Sequence, residues 1–105
     1  MTGAVVVLVS CPSPEKAAEI ARALVEERLA ACGSVVPAVR SIYRWEGKVQ
    51  DDAEALLVVK TAGDRFEALR ARVQALHPYE VPEVIALPVE QGNAPYLDWI
   101  ATSTR

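Results

Sequence analysis

Residues 35–60, with the sequence VVPAVRSIYRWEGKVQDDAEALLVVK, decide the fold. Two segments, 35–45 and 49–60, are rich in β-branched and aromatic residues, and the turn signal Glu46-Gly47-Lys48 separates them. This pattern predicts a long β-hairpin. Pro37 interrupts the first of its strands. Because proline has no amide N–H to donate, its place there requires an edge position, a strand start or a β-bulge.

The residues before the hairpin predict a strand and then a helix. Val5–Val9 is an apolar run without polar alternation, which is typical of a central strand buried on both faces. Ser13-Pro14-Glu15 has the residue types that begin a helix, and we expect this helix to run to about Ala31, with Gly33 as its stop. Its predicted buried face comprises Ala17, Ile20, Ala21, Leu24 and Arg28.

The residues after the hairpin predict a second helix, a fourth strand and a short last helix. Asp64 and Glu67 have the spacing of a capping box. The helix behind them is predicted to bury Phe66, Leu69, Val73 and Leu76 and to end at His77-Pro78. Val84–Val89 follows as a strand, and Gly92-Asn93 is expected to cap a helix containing Pro95, Tyr96, Leu97, Trp99 and Ile100.

The order β-α-β-β-α-β-α predicts a ferredoxin-like α+β fold, in one domain over residues 1–105. In this fold an antiparallel sheet carries both long helices on one face. The strands are apolar on both sides at Val5–Val9 and at Leu56–Val59, so the other face needs a cover. We therefore expect an obligate oligomer. The alternative is that the last helix and the hairpin cover this face within a monomer.

The distal half of the hairpin carries Tyr43, Arg44 and Trp45, where a monomer has no core. We interpret these residues as an intersubunit contact, and a cation–π shelf for a ligand is the alternative. Basic residues in clefts between subunits could instead bind a small anion or a partner protein. Arg40, Arg44, Lys48 and Lys60 are available for it.

Composition narrows the class of protein. The chain has 105 residues, 51% of them apolar and 24% charged, which excludes intrinsic disorder. A net charge of −3 without a basic patch argues against a nucleic-acid partner. The apolar run near the N-terminus is too short for a membrane span and lacks the basic residues of a signal peptide. We therefore expect a cytoplasmic protein with no membrane partner.

Three residues are candidate metal ligands. His77, the single histidine, could coordinate a metal with Glu80, Glu83 or a cysteine, and the alternative is a helix C-cap. Cys11 follows the first strand near a helix N-terminus, which could lower its pKa and favour a soft metal, whereas Cys32 is better explained by packing. We take His77, Glu80 and Cys11 as the candidate set.

The segment HPYEVPE at 77–83 is fixed by two prolines and holds an imidazole, a phenol and carboxylates. This segment is either a binding site for a cation or a small ligand, or only a stiff connector between a helix and a strand. We assign Tyr79, Trp45 and Lys60 to a ligand cleft. Enzymatic chemistry has no positive support, because no Gly-rich phosphate loop or catalytic motif is present. Acylphosphatase chemistry on this fold would need a loop of amide donors, and prolines occupy it at Pro12 and Pro14.

Three segments together resemble the CutA divalent-cation-tolerance family: ERLAACGSVVPAV at 27–39, SIYRWEGKV at 41–49 and HPYEVPEVIALPV at 77–89. Gly92-Asn93 and YLDWI at 96–100 complete the pattern. The resemblance implies a ferredoxin-like subunit in a PII-like homotrimer. It also implies a cytoplasmic protein without established catalytic activity, linked to tolerance of copper, as Cu(II), and of other divalent metals.

The resemblance also implies where the copper ligands of the bacterial family would fall. A cysteine late in the first strand corresponds to Val9, and a histidine pair before the proline corresponds to Leu76 and His77. Only His77 can coordinate through its side chain. Cys11 lies two residues beyond Val9, on the same face if the strand continues.

Overall fold

The structure is a computed structural model that describes residues 2–105. Its elements are β1 (Ala4–Cys11), α1 (Pro14–Glu26), β2 (Cys32–Trp45), β3 (Lys48–Ala62), a short 3-10 helix (Gly63–Arg65), α2 (Phe66–Leu76), β4 (Ile85–Pro88) and α3 (Ala94–Ser103). The four strands form one antiparallel sheet in the order β2-β3-β1-β4. The predicted element order and the ferredoxin-like α+β arrangement are confirmed.

Helix α1 begins as predicted but ends earlier. The Ser13 hydroxyl accepts a hydrogen bond of 3.1 Å from the Lys16 amide, and Pro14 is the first helical residue. The helix ends at Glu26 rather than near Ala31, because Arg28 has φ of 60° and the next two amides bond back to the Leu24 carbonyl. Arg28 is therefore exposed, and the prediction that it lies on the buried face is wrong.

Gly33 does not stop the helix; it is the second residue of β2. A Cβ atom at this position would lie 2.8 Å from the Cβ of Ala21, which is closer than two carbon atoms can approach. The glycine is therefore needed for the close contact between α1 and the sheet. The early helix end leaves room for β2 to begin at Cys32 instead of Val35.

Helix α2 lacks the predicted capping box. The chain enters it through the 3-10 turn, and no side chain bonds to the amides at its start. Asp64 instead pairs with Arg105, and Glu67 pairs with Arg70. Leu69 and Val73 are buried as predicted, with Phe66 and Leu76 packed at the edge of the core. Strand β4 is shorter at both ends than the predicted Val84–Val89.

Helices α1 and α2 cover one face of the sheet. The core there consists of Val7, Val9, Cys11, Ala17, Ile20, Ala21, Leu24, Leu29, Ala30, Ala55, Leu57, Val59, Leu69 and Val73. Alternate residues of β1 and β3 supply it, as the pleat of a strand requires. Both long helices thus lie on one side, as predicted.

We call the opposite side of the sheet the open face. Val6 and Leu8 of β1 point to it, and their partners on β4, Leu87 and Ile85, are 49% and 51% exposed. Helix α3 does not cover this area, because it packs Ile100 against Ala4 and Ala31 at one end of the sheet. The open face therefore keeps a large apolar surface within one chain.

A β-bulge in β2 decides which hairpin residues share the open face. Val36 pairs with Leu56, whereas Val39 pairs with Glu54, so β2 contains one more residue than β3 between these pairs. Pro37 lies inside the bulge of this edge strand, as its missing amide N–H predicts. Because the extra residue reverses the alternation, the odd-numbered residues of β2 beyond it face the same side as Glu54.

Candidate functional site

The segment 77–83 is held against the sheet by the imidazole of His77. Its Nδ1 accepts a hydrogen bond of 3.1 Å from the Tyr79 amide, so Nε2 carries the proton and donates it to the Ser10 carbonyl at 2.7 Å. The His77 amide also donates a hydrogen bond to the Val73 carbonyl, so His77 is the C-cap residue of α2. The ring is 7% exposed and both of its nitrogens are occupied.

A second attachment joins this segment to β3. The Tyr79 hydroxyl donates a hydrogen bond of 2.8 Å to Oε2 of Glu54, whose residue is only 9% exposed. Burial raises the pKa of the Tyr79 phenol, and the hydrogen bond and negative charge of Glu54 raise it further. The phenol therefore stays protonated and remains a donor to this carboxylate.

The hairpin supplies the opposite wall. Tyr43 donates a hydrogen bond of 2.5 Å from its hydroxyl to Oδ2 of Asp52 across the two strands. The bulge turns Tyr43 and Trp45 toward the same side as Glu54. Without the extra residue, the neighbouring Arg44 would take this orientation.

Between the hairpin and the segment 77–83 lies an open cavity of about 620 Å³. We call it the acidic cavity. Its lining residues are Ser10, Ser41, Ile42, Tyr43, Trp45, Glu54, Tyr79, Glu80, Val81 and Glu83. Three of them are glutamates and none is a lysine or an arginine. The Ser10 hydroxyl donates a hydrogen bond of 3.1 Å to Glu83 and so helps to fix one of these carboxylates.

The structure brings only part of the predicted site together. Glu80, Tyr79 and Trp45 line the acidic cavity, as does Tyr43 from the predicted contact region. Lys60 does not line it, because its ammonium lies 3.2 Å from the Ser34 hydroxyl and 3.7 Å from the Cys32 sulfur. Arg44 bonds to the Gly47 carbonyl of its own turn at 3.4 Å.

The three candidate metal ligands do not converge. Cys11 is fully buried among the core residues below the helices, and its thiol donates to the Val9 carbonyl. His77 has no free nitrogen, while Glu80 is exposed on the loop. Within residues 2–105, no three side chains of His, Cys, Asp or Glu are grouped so that they could hold a metal ion.

Sequence reasoning missed Glu54, the most buried acidic residue of the cavity. Its signal was a single carboxylate directly before the apolar run Ala55–Val59, at a place where a strand enters the core. Charged groups are rarely buried without a partner. That partner, Tyr79, lies 25 residues away in the chain, and only the folded structure brings it to Glu54.

Cys11 should be unreactive in the native protein, because burial raises the pKa of its thiol to about 11, with a smaller contribution from the Glu54 carboxylate. In a Cys32→Ser variant, a disulfide reagent at pH 8 should therefore label no thiol until denaturant is added, and then one. The neutral thiol is favoured in the folded state. Its contribution to stability should be complete below pH 9 and lost as the pH rises from 9.0 to about 11. Rapid labelling of the native variant would contradict this assignment.

No helix within residues 2–105 is long and apolar enough to cross a membrane.

The fold and the acidic cavity define an α+β protein with one ligand-sized, acid-lined depression beside an uncovered sheet face. Residues 5–103 match the family described as CutA1 divalent ion tolerance protein. The chain belongs to this family.

Individual relatives agree with this assignment. The chain is 58% identical over 99 residues to the divalent-cation tolerance protein CutA of Thermus thermophilus, a match that covers 94% of this chain and 96% of that protein. It is 54% identical to human protein CutA over 91% of this chain, but spans only 54% of the human protein. A solved structure of the Thermus thermophilus divalent cation tolerance protein superposes with a TM-score of 0.94, at 56% identity, over 97% of this chain and 99% of that one.

Proposed function

We propose that this chain is a non-enzymatic, homotrimeric module of divalent-cation tolerance that binds Cu(II) or another divalent metal ion in the acidic cavity. The observation that carries the proposal is the charge of the cavity wall, whose ionisable lining consists of glutamates and tyrosines without a basic residue. Such a wall attracts cations and repels anions. The family's link to divalent ions agrees with this charge.

The open face supports the proposed assembly, because a single chain leaves its apolar residues exposed to water. Ile85 and Leu87 are half exposed on it, beside the partly buried Val6 and Leu8. Contiguous apolar surfaces of this kind mark protein interfaces. The edge strand β2 also extends well beyond the sheet in the hairpin, and the side of the hairpin that faces away from the cavity, with the exposed Arg44, is available for a contact with a second copy. Three subunits is the number that the resemblance to the family implies.

The metal would be held by carboxylate oxygens at the mouth of the cavity. Glu80 and Glu83 are exposed there and lie on the segment that His77 fixes. Cu(II) accepts oxygen as well as nitrogen ligands. Since one chain does not group three ligands, we propose that water or a neighbouring subunit completes the coordination. In this scheme Glu80 keeps its predicted role, and His77 positions the loop instead of coordinating.

Calorimetric titration with Cu²⁺ tests the metal site. The double variant Glu80→Gln/Glu83→Gln should bind Cu²⁺ at least about tenfold more weakly than the wild type, because it loses both charged oxygen ligands. The matched control is Glu90→Gln, which makes the same change at an exposed glutamate outside the cavity and should bind like the wild type. Absence of binding by the wild type, or equal binding by the double variant, would refute the site.

The anion-binding alternative has less support. Arg40 is engaged by Asp51 through two hydrogen bonds of 2.8 and 2.6 Å, and neither it nor Lys60 lines the cavity. A thermal-shift screen with nucleotides and organic anions should therefore give no stabilisation, whereas divalent cations should stabilise the protein.

We also propose a cytoplasmic location, since Cys11 and Cys32 are both free thiols, as a reducing compartment favours.

A further inference from the structure

The acidic cavity is too large and too apolar to be explained by a metal ion alone. Its volume of about 620 Å³ falls in the range of pockets that hold small organic molecules. Beyond the carboxylates, its lining includes three aromatic and two aliphatic residues: Tyr43, Trp45, Tyr79, Ile42 and Val81. Aromatic walls with carboxylates and without basic groups are the chemistry that recognises organic ammonium ions.

We propose that the inner part of this cavity, formed by Glu54, Tyr43, Trp45 and Tyr79, binds an aliphatic polyammonium ion. The proposal goes beyond the metal function, because it assigns a second class of cation to the inner part of the cavity, whose anchor, Glu54, the metal site does not use. The metal site relies on Glu80 and Glu83 at the exposed mouth. The ammonium site relies on the buried carboxylate of Glu54.

Glu54 provides the anchor. It is more than nine-tenths buried, and Tyr79 holds its Oε2. Its Oε1 has no hydrogen-bond partner among residues 2–105, although the side chain lines the cavity. This oxygen is open to the cavity, where a charged N–H donor from a ligand can bond to it.

The number of acidic groups favours a ligand that carries more than one positive charge. Three glutamates line the cavity, yet they are not grouped closely enough to share a metal. An aliphatic polyamine carries ammonium groups separated by methylenes. One ammonium can therefore pair with Glu54 while the next reaches Glu80 or Glu83, and the methylenes lie against the aromatic rings.

Trp45 makes the binding directly measurable. The chain has two tryptophans, so a Trp99→Phe background leaves Trp45 as the only one, in the cavity wall. In the assembled protein, 1,4-diaminobutane should change the Trp45 fluorescence with a Kd of about 1 mM or tighter. Equal concentrations of 1,4-butanediol, which replaces both ammonium groups by hydroxyls, should leave it unchanged.

The decisive variant is Glu54→Gln in the same background. The amide oxygen can still accept from Tyr79, so the fold is kept, while the charge is removed and binding should weaken at least about tenfold. Glu90→Gln should bind like the background protein. Equal responses to the diamine and the diol, no response to the diamine, or unchanged affinity in Glu54→Gln would overturn the proposal. Copper binding that persists in any of these cases leaves the metal function standing, so the two proposals fail separately.

Discussion

Ile85→Lys should disrupt the proposed homotrimer and give a particle of one chain, 11.4 kDa. Ile85 lies on the open face of β4 beside Leu8 of β1. Because Ile85 is already half buried in one chain, burial of its remaining surface in an interface stabilises each contact by about 0.8–1.5 kcal/mol. A lysine loses this stabilisation and adds the larger cost of burying an unpaired charge. In a symmetric oligomer, the loss and the cost occur in every subunit. Light scattering coupled to size exclusion gives the mass.

The control for this experiment is Val25→Lys, which places the same charge on an exposed apolar residue of α1, on the helix side of the sheet. It should keep the mass of the wild type. The Ile85→Lys monomer should retain helical and strand signals by circular dichroism, since a half-exposed site in one chain changes stability by about 0.5 kcal/mol or less. A wild type that is monomeric, or an Ile85→Lys variant of unchanged mass, would contradict the proposed assembly.

His77→Ala should lower the free energy of unfolding by about 3 kcal/mol. The substitution leaves the Ser10 carbonyl and the Tyr79 amide without their imidazole partner. It also opens a void where a nearly buried ring packs against Tyr79 at a centroid distance of 4.7 Å. Urea denaturation at one fixed protein concentration measures the change, because subunit association makes stability depend on concentration.

Gln74→Ala is the matched control for His77. Its amide also ties the segment 77–83 to α2, through a hydrogen bond of 3.2 Å to the Glu80 carbonyl, but it is exposed. Its removal should lower the free energy of unfolding by about 1 kcal/mol or less. If His77→Ala is equally mild, and at the same time eliminates copper binding, the imidazole is a ligand and not the structural anchor described above.

The sequence was sufficient for the fold because the decisive signals are local. The turn at Glu46-Gly47 and the apolar runs on both sides of it predicted the hairpin, and Pro37 announced the irregularity in β2. The end of α1 was missed because it depends on a positive φ at Arg28, a residue type that gives no such signal. The capping box at Asp64 was also predicted wrongly. Its carboxylate accepts a hydrogen bond from Arg105, which lies 41 residues away in the chain and which the local sequence does not reveal as a partner.

The candidate site was predicted only as far as single segments reveal it. HPYEVPE was recognised as a rigid segment, and Glu80 and Tyr79 do line the cavity. The role of Glu54 could not be predicted, because its burial and its contact with Tyr79 arise from the packing of β3 against a distant loop. Cys11 shows the opposite error. Its place beside a helix N-terminus suggested a thiol with a lowered pKa and affinity for a soft metal, whereas its inward-facing position in β1 buries it completely.

The bulge at Pro37 has a consequence for how such a protein can diverge. Beyond this point, odd-numbered residues of β2 face the same side of the hairpin as Glu54, and even-numbered ones, including Arg40 and Arg44, face the opposite side. Loss of a single codon within the bulge would restore regular alternation and exchange the two sets. Guanidinium groups would then replace aromatic rings along that wall. The polarity of this wall is thus encoded in the length of the backbone as much as in its side chains.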